Sequence, residues 1–521
     1  MKKNIKNKEL KKTVRKIKKK NAFYYLNQKN LISEIKQGGG SLSITRLLLT
    51  YLAVIAGFIG TGLVFKLPPV GYMMIIGTGI FFSPLIILNS YKSSFQQKKF
   101  SEANKYIEKM LYYFEKSEKI LVALEDIKKI FNGGVMYDSI NASIDYIRNS
   151  SSSHVEENAL KIIEENFPIK RIKTLHKFML MVEYEIDGNS SLGIEMLGEE
   201  RNYWVDRVLD FQQRKFFLKK SVILGLVFSA GICLFLLYLP IFTGLESLDI
   251  SKNIITQISA AIFIMILIFI YYKFNEKLCK NWLDEDKPKT DEYYEKRYYK
   301  LINYNKRKEF NRSLIKSAIV MIFAAVIFLL TFSKVLLVIG IVISLFAYAE
   351  SGIGYNILKK DIIKEINEVF PTWLLEVSLF MNIENVQISI FKSYETAPGI
   401  LKTALKKLLQ QLDNDPNSAM PYNMFLSELD VAEISEVMSS LYSLSVAAGG
   451  DFEEELKVII SRNYKLLNKA EQHKYNDKIA ILNTYIIVPS LIVGVKLMVD
   501  MTILLISFLA TGNSSMMNGG M

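Results

Sequence analysis

Two stretches that share their ending, GNSSLGIEMLGEERNY over Gly188–Tyr203 and GGDFEEELKVIISRNY over Gly449–Tyr464, decide how this chain is organised. In each stretch a glycine is followed at the same distance by Arg-Asn-Tyr, and a membrane-length apolar segment comes soon after. Arg201 and Arg462 are 261 residues apart (462 − 201) in a chain of 521 residues. A period of half the chain predicts that the protein contains two versions of one structural unit.

A second pair of segments favours the same duplication. FEKSEKILVAL from Phe114 to Leu124 aligns with FMNIENVQISI from Phe380 to Ile390, at an offset of 266 residues (380 − 114). The simplest alternative is that any two amphipathic helices can be slid into register. Both matches, however, occupy the same place relative to a hydrophobic hairpin and a following apolar segment, and one small loop change accounts for the difference in offset.

The hydrophobic content sets the fold class. Half of the residues are hydrophobic, and several uncharged runs reach the roughly 17 residues that a helix needs to cross a bilayer. We therefore predict an all-α integral membrane protein with about seven transmembrane helices and two repeated cytosolic helical bundles. The expected segments are a basic cytosolic N-terminal segment (1–45), transmembrane hairpin 1 (46–90), cytosolic bundle 1 (91–220), transmembrane helices 3 and 4 (221–272), a charged cytosolic connector (273–316), transmembrane hairpin 2 (317–349), cytosolic bundle 2 (350–478), a last transmembrane helix (479–511) and a short outer tail (512–521).

The positive charges indicate the orientation of these segments. The formal net charge is +13, and lysines and arginines crowd beside the cytosolic ends of the apolar runs, where anionic lipid and the positive-inside rule account for them. We therefore expect a multi-pass protein of the cytoplasmic membrane with a cytosolic N-terminus and no nucleic-acid partner. The expected cytosolic clusters are Lys98 and Lys99; Arg214, Lys215, Lys219 and Lys220; Lys306, Arg307 and Lys308; and Lys359 and Lys360. The expected outer loops carry Lys66, Lys252 and Lys334.

Local patterns predict the packing of both regions. In hairpin 1, glycines on the first run (Gly57, Gly60, Gly62) and on the second (Gly71, Gly77, Gly79) are expected to let two helix backbones approach closely. From Tyr106 to Phe131, apolar residues recur at spacings of three and four, which predicts one amphipathic helix. No strand-like alternation appears in the soluble regions.

No motif for bond-making chemistry is found. The two cysteines, Cys233 and Cys279, are too few for a disulfide framework, and the three histidines (His154, His176, His473) lack metal-ligand spacing. There is no phosphate-binding loop, nucleophile elbow or zinc-protease motif. We expect no enzymatic activity, cofactor or metal, and we expect any energy input to come from a partner or an ion gradient.

The chain resembles a known family in the order of its segments. A membrane hairpin, an amphipathic helix, a later glycine turn and a long basic helix leading into a span look like the type II secretion F domain, found in platform proteins of type II secretion, type IV pili, Tad pili and archaeal flagella. The resemblance covers most of residues 46–510 and rests on hydrophobic pattern and repeated architecture. It is carried by the helices at Phe114 and Phe380, the turns at Gly188 and at Gly449 and Gly450, the helices holding Arg201 and Arg462, and the last segment with Pro489. Two units in one chain look like a fusion of what Tad systems often encode as two proteins.

The resemblance implies partners and a function. It implies a cytosolic hexameric secretion or pilus ATPase, pilin or pseudopilin subunits with apolar N-terminal helices, the lipid membrane, and a homo-oligomer of the chain itself. Such a platform receives movement from the ATPase and lifts subunits into a filament.

Each candidate contact residue has a structural explanation beside the functional one. Gly188, Gly449 and Gly450 fit turns that need positive φ. Arg201 and Arg462 fit either a solvated or intramolecular ion pair or an ATPase contact. Asp451 opens an acidic helix start, which suits the helix dipole as well as a docking patch.

Lys496 and Asp500 are a separate case. They are four residues apart inside the last apolar segment, where isolated charges are costly and functional roles are common. They fit a neutralising pair, an interfacial placement of Lys496, or a contact between Lys496 and the glutamate typical of pilin-like N-termini.

The alternative classes of protein are transporters, of two kinds, and membrane sensors. A secondary transporter would concentrate polar residues and broken helices near the membrane midplane, whereas the first six spans are nearly uncharged. The membrane subunit of an ATP-driven exporter also docks an ATPase through cytosolic helices, and it remains the alternative function. A membrane sensor would need a sizeable outer domain, which the predicted topology lacks.

Overall fold

The structure is a computed structural model that describes residues 22–37, 40, 42–150, 154–184, 190–244, 249–283, 290–331, 334–382, 384–446 and 452–518. Throughout these ranges the secondary structure is helical, with no strand. The all-α prediction is therefore confirmed for the described part of the chain.

Helices α1 to α9 lie in the first half of the chain. They are α1 (Gln28–Gln37), α2 (Ile44–Val64), α3 (Pro69–Ser117), α4 (Ile120–Lys128), α5 (Val135–Asn149), α6 (Val155–Asn166), α7 (Lys170–Tyr184), α8 (Ser190–Phe242) and α9 (Ile254–Leu278). Side chains cap several of them. The Ser43 hydroxyl accepts a hydrogen bond from the Arg46 amide at the start of α2, and Asn253 accepts one from Ile255 at the start of α9.

Helices α10 to α17 follow in the second half. They are α10 (Asp291–Ile302), α11 (Lys306–Thr331), α12 (Lys334–Phe380), α13 (Val386–Tyr394), α14 (Gly399–Asn414), α15 (Met420–Met424), α16 (Ala432–Val446) and α17 (Phe452–Asn518). Helix α17 contains Pro489 and includes the whole last apolar segment, so that segment is one helix, which continues into the expected outer tail.

Six helices within the described ranges have the length and apolar character needed to cross a membrane. They are α2, α3, α8, α9, the Arg307–Leu329 part of α11 and the Glu454–Ala510 part of α17. A seventh results if Val338–Ala349 and Gly354–Phe380, which meet at a bend of 52°, count as one span. These helices are compatible with a multi-pass membrane protein.

The chain divides into two compact units. Unit 1 contains the described residues of Met1–Glu102, Val208–Leu283 and Asn476–Met521, and unit 2 contains those of Ala103–Arg207 and Asp284–Tyr475. Three of the four divisions between the units fall inside helices, so α3, α8 and α17 each contribute residues to both units. Helices α11 and α12, expected as the second hairpin, belong to unit 2.

The core of unit 1 joins residues that are far apart in sequence. Phe65, Ile75, Cys233, Phe263 and Val493 lie in one buried cluster, which brings together the hairpin of α2 and α3, helices α8 and α9, and the last helix. At the turn of that hairpin, Lys66 Nζ lies 3.8 Å from Asp249 Oδ2. Lys66 was expected in one outer loop and Lys252, three residues after Asp249, in another, and this ion pair places those two loops at the same end of unit 1.

The glycines of the first hairpin act differently from the prediction. A Cβ on Gly62 would lie 2.3 Å from the Tyr72 ring, and a Cβ on Gly79 would lie 2.1 Å from the Phe58 ring. These two glycines therefore make room for aromatic rings of the opposite helix. A Cβ on Gly57, Gly60 or Gly77 would meet nothing within 4 Å. The two helices therefore do not approach each other closely at those three positions.

Helix α1 also packs in unit 1. Leu31 and Ile35 are fully buried beside Leu47 of α2 and Leu88 of α3. Part of the basic N-terminal segment is thus an ordered helix on the hairpin.

Unit 2 contains two series of short helices. In the first, α4 contacts α5, α5 contacts α6, α6 contacts α7, and α7 contacts α4. In the second, α13 contacts α14, α14 contacts α15, α15 contacts α16, and α16 contacts α13. The core of the second series contains Trp373, whose indole nitrogen donates a hydrogen bond to Ser393 Oγ over 2.9 Å and whose ring stacks on Phe425.

The prediction of one amphipathic helix over Tyr106–Phe131 is wrong. Helix α3 ends at Ser117 and α4 begins at Ile120, because Glu118 takes a left-handed conformation with φ of 50°. The apolar spacing of three and four continues across the break, since the apolar residues of both helices are buried in the same bundle. Periodicity alone therefore did not reveal the turn.

The expected connector contains structure of its own. Helix α10 buries Tyr298 and Leu301 and contacts α12 and α14. Its Arg297 donates a hydrogen bond to Glu365 of α12 over 2.8 Å. This part of the segment packs within unit 2.

Candidate functional site

The two charged residues of the last apolar segment lie inside the core of unit 1. Lys496 is 5% exposed and Asp500 is 1% exposed, and the Lys496 ammonium donates a hydrogen bond to the Asp500 carboxylate one turn along α17. The same ammonium lies 3.4 Å from the backbone oxygen of Thr256 on α9. The pair is neutral as a unit and neither charge is open to the surface of the chain.

Arg201 is held within unit 2. Its Nε donates to Asn104 Oδ1 over 2.8 Å and its terminal nitrogen donates to Glu108 Oε2 over 2.6 Å. Both acceptors lie on α3, so Arg201 joins the N-terminal part of α8 to the end of α3. Its side chain is 18% exposed, which leaves little of the guanidinium for another protein.

Arg462 is in the opposite situation. It is exposed on α17, and no carboxylate in the described part of the chain lies within ion-pair distance of it. Its neighbours point inward: Asn463 donates to the Pro371 backbone oxygen over 2.8 Å, and Tyr464 donates to the Met196 backbone oxygen over 2.6 Å. Of the two arginines, Arg462 is therefore the one available to a partner.

The two Arg-Asn-Tyr segments touch each other. The rings of Tyr203 and Tyr464 have centroids 5.5 Å apart, and Tyr203 remains 42% exposed. Helices α8 and α17 are thus in contact at the positions that the sequence alignment equates. The other predicted site residues, Gly188, Gly449, Gly450 and Asp451, lie outside the described residues.

A charge cluster beside this contact was missed by the sequence analysis. Arg171 of α7 donates to Glu200 of α8 over 2.7 Å and to Glu471 of α17 over 2.6 Å. Arg207 of α8 has its Nε 2.5 Å from the other Glu471 oxygen. Burial opposes ionisation of Glu471, yet the two arginines hold the pKa of its carboxyl below its usual range. Charge-assisted hydrogen bonds of this kind fix geometry as well as charge.

The sequence contained only half of the signal for this cluster. Glu200 and Arg207 are seven residues apart, which places them on one face of α8. Their partners are far away in the chain: Arg171 and Glu471 are 300 residues apart (471 − 171). Nothing local distinguishes these side chains from solvated charges.

A second buried network lies in the first helix series. The Tyr106 hydroxyl lies 2.8 Å from His176 Nε2, and His176 Nδ1 lies 2.9 Å from Glu164 Oε1. Tyr106 and His176 are both 0% exposed, so no substrate can reach the hydroxyl. The three residues join α3, α6 and α7 and act in packing.

The described residues include no group of three or more His, Cys, Asp or Glu side chains able to hold a metal ion. Within unit 1, Cys233 and Cys279 are both buried free thiols. The site that remains is the contact of α7, α8 and α17, which is built to hold two long helices in a fixed register.

Comparison of the chain with protein-family models, with curated proteins and with solved structures finds no match.

Proposed function

We propose that this chain is a platform protein of the cytoplasmic membrane that couples a cytosolic hexameric ATPase to the insertion of pilin-like subunits, in a machine of the type IV pilus, Tad or type II secretion kind. The observation that carries the proposal is the matching order of helices in the two halves, combined with the F-domain resemblance of the sequence. The chain would contain two F-like units and act as a homo-oligomer.

Helix bounds support the duplication. Helices α4 and α13 are both nine residues long, and both their starts and their ends are 266 residues apart (386 − 120 and 394 − 128). Helices α7 and α16 are both 15 residues long, and both their bounds are 262 apart (432 − 170 and 446 − 184). Between these two pairs the match is looser. Helices α5 and α14 start 264 residues apart (399 − 135), and α6 and α15 start 265 apart (420 − 155) but are 12 and 5 residues long, so the offset changes at more than one place.

The packing order supports it further. Each series of four short helices has the same four neighbouring pairs, and each is followed by a long helix that ends in an apolar run. The contact between Tyr203 and Tyr464 also brings together the two Arg-Asn-Tyr segments that the sequence match equates.

The long helices give the proposal its mechanism. Helices α3, α8 and α17 each contribute to both units, and an uninterrupted helix is a stiff element that passes displacement along its axis. The cluster of Arg171, Arg207 and Glu471 holds α8 and α17 together where they leave unit 2. Movement imposed on unit 2 by an ATPase would then act on both helices at once.

Co-purification tests this function. The full-length protein, reconstituted in lipid nanodiscs, is mixed with the hexameric secretion ATPase of the same organism and separated by size. We expect a complex that forms with wild type and weakens with Arg462→Glu, because Arg462 is exposed and without an ion-pair partner among the described residues. Arg201→Gln serves as the matched control, since Arg201 is satisfied within unit 2.

Deletion of the gene should also abolish a surface filament or a secreted substrate in the source organism. Co-purification of an ATP-binding-cassette subunit in place of the secretion ATPase would overturn the proposal in favour of the exporter alternative.

A further inference from the structure

A cavity of about 320 Å³ lies at the charged end of the second helical hairpin. Its walls are the end of α10 with the loop that follows, the first turns of α11, and the stretch from Gly354 to Leu358 on α12. All of these elements belong to unit 2. The rings of Tyr304 and Tyr355 pack together at 4.4 Å and close one side.

The cavity is strongly cationic. Among the described residues that line it, four are cations (Lys300, Lys308, Arg312 and Lys316) and one is a carboxylate, Glu309. That carboxylate is already used, because Arg312 donates a hydrogen bond to it over 2.6 Å. No described residue lies within hydrogen-bond or ion-pair distance of the Lys300 or Lys308 ammonium groups. Two cations therefore face the cavity without an anion.

The spacing along α11 strengthens this conclusion. Lys308, Arg312 and Lys316 follow one another at intervals of four residues, which stacks like charges on one helix face and disfavours the helix by itself. The N-terminal amides of α11 do not need an anion, because Asn305 Oδ1 accepts from Arg307 and Lys308. Arg312 is already neutralised by Glu309, so an anion in the cavity would neutralise Lys300 and Lys308.

The surroundings identify the kind of anion. After Lys316, α11 is uncharged through Thr331, and its apolar side chains are exposed; Ile315, Ile319 and Phe323 are 60%, 60% and 67% exposed. Free phosphate has no apolar part that could cover such a face. A phospholipid fits both parts, because its acyl chains cover the apolar side of the helix while its phosphate reaches the cations.

We propose that this cavity binds the phosphate headgroup of an anionic phospholipid, with Lys300 and Lys308 as its principal cationic contacts. Tyrosine rings at the level of the headgroups, here Tyr304 and Tyr355, are typical of a membrane interface. The inference rests on the proposed function only in requiring α11 to lie in a membrane with its charged end at the cytosolic face. The bound lipid would hold the base of the hairpin against α10.

Lipid retention in detergent tests the proposal. The full-length protein is titrated with dioleoyl phosphatidylglycerol, with dioleoyl phosphatidylcholine, or with inorganic phosphate, and bound lipid is counted by native mass spectrometry. We expect the wild type to retain phosphatidylglycerol in preference to phosphatidylcholine. The double variant Lys300→Gln/Lys308→Gln should bind phosphatidylglycerol more weakly, by on the order of tenfold or more.

Two further variants make the result specific. Lys406→Gln/Lys465→Gln removes two exposed lysines of unit 2 outside the cavity and should bind like wild type. Lys300→Arg/Lys308→Arg keeps the charge and should restore binding. Equal lipid retention by the two glutamine variants overturns the proposal. Binding of inorganic phosphate to the wild type as strongly as phosphatidylglycerol, at the same concentration, overturns it as well.

ATPase co-purification is measured on the same preparations. Lipid retention without ATPase binding contradicts the proposed function and supports the lipid site. ATPase binding without a preference for phosphatidylglycerol contradicts the lipid site and supports the proposed function. If the wild-type protein is recovered in the soluble fraction of the cell and not with the membranes, both proposals are wrong.

Discussion

Lys496 and Asp500 show how a costly pair of charges is accommodated in an apolar core. Either charge buried alone in this core would strongly destabilise the fold. The contact between the two side chains, together with the Thr256 carbonyl, offsets the loss of their hydration. Because both side chains are buried within unit 1, a contact between Lys496 and a subunit helix would require the pair to open.

Lys496→Leu should destabilise the protein by about 3–5 kcal/mol because it leaves the Asp500 charge buried and unpaired. Adding Asp500→Leu should restore most of the loss. The measurement is the thermal unfolding midpoint in detergent. A double variant that folds well and also supports filament assembly would exclude a role for the Lys496 charge in subunit contact.

Lys215 is a second buried charge, located on α8 before the uncharged run that begins at Ser221. It is 6% exposed, its ammonium has no hydrogen-bond partner among the described residues, and Phe211 lies beneath it at 5.5 Å. Burial lowers the pKa of Lys215 from its ordinary 10.5 to about 8, with Lys478 acting in the same direction and Cys279 against it.

The sign of the resulting pH dependence follows from linkage. Below pH 8 the lysine is protonated in the folded and the unfolded chain, so the full cost of burying the charge is present. Between pH 8 and 10.5 the folded chain releases the proton first, and the stability rises with pH. Lys215→Met should therefore melt higher than wild type at pH 7.5, and the difference should shrink towards pH 10. Lys220→Met, at an exposed position five residues later, should show neither effect.

At the scale of elements, the second hairpin depends on one close contact. A Cβ on Gly340 of α12 would lie 2.3 Å from the Ala324 Cβ of α11, so the two helices approach at a small residue on each side. This is the kind of backbone approach that the sequence analysis expected at several glycines of the first hairpin.

Gly340→Val should separate the two helices. Overpacking of this kind costs about 1–3 kcal/mol, and we expect a lower unfolding midpoint and faster proteolysis between α11 and α12. Gly231→Val is the matched control, because a Cβ on Gly231 would meet nothing within 4 Å. Identical midpoints for the two variants would contradict the observed packing of the hairpin.

The sequence predicted helices well and their ends poorly. Hydrophobic runs defined α2, α9 and the apolar part of α17, because a helix that is apolar on all sides has few alternatives. The break at Glu118 depends on a single residue with positive φ, and no glycine or proline marks it. The contacts of Arg171, Arg207 and Glu471 depend on tertiary packing, which no local pattern encodes.

At the scale of the whole molecule, we expect a cytosolic N-terminus. This expectation rests on the distribution of lysine and arginine, and the ion pair between Lys66 and Asp249 agrees with two loops on one side. Cysteine labelling gives an independent answer.

In a background with Cys233→Ala and Cys279→Ala, we expect a membrane-impermeant thiol reagent to label Lys252→Cys in intact cells. Lys296→Cys should react only after the cells are permeabilised, because α10 is expected in the cytosol. Both positions are exposed, so burial does not decide the outcome. The reverse pattern would invert the topology and remove the cytosolic ATPase site.

The core of unit 1 has a consequence for how the protein is made. Phe263 and Ile75 emerge from the ribosome long before Val493, yet all three belong to one cluster. This cluster therefore stays incomplete while the whole of α10 to α16 is synthesised, until α17 follows. During that interval the apolar surface that α17 covers in the folded protein is exposed, and transiently exposed surface of this kind makes incompletely folded chains prone to misassembly.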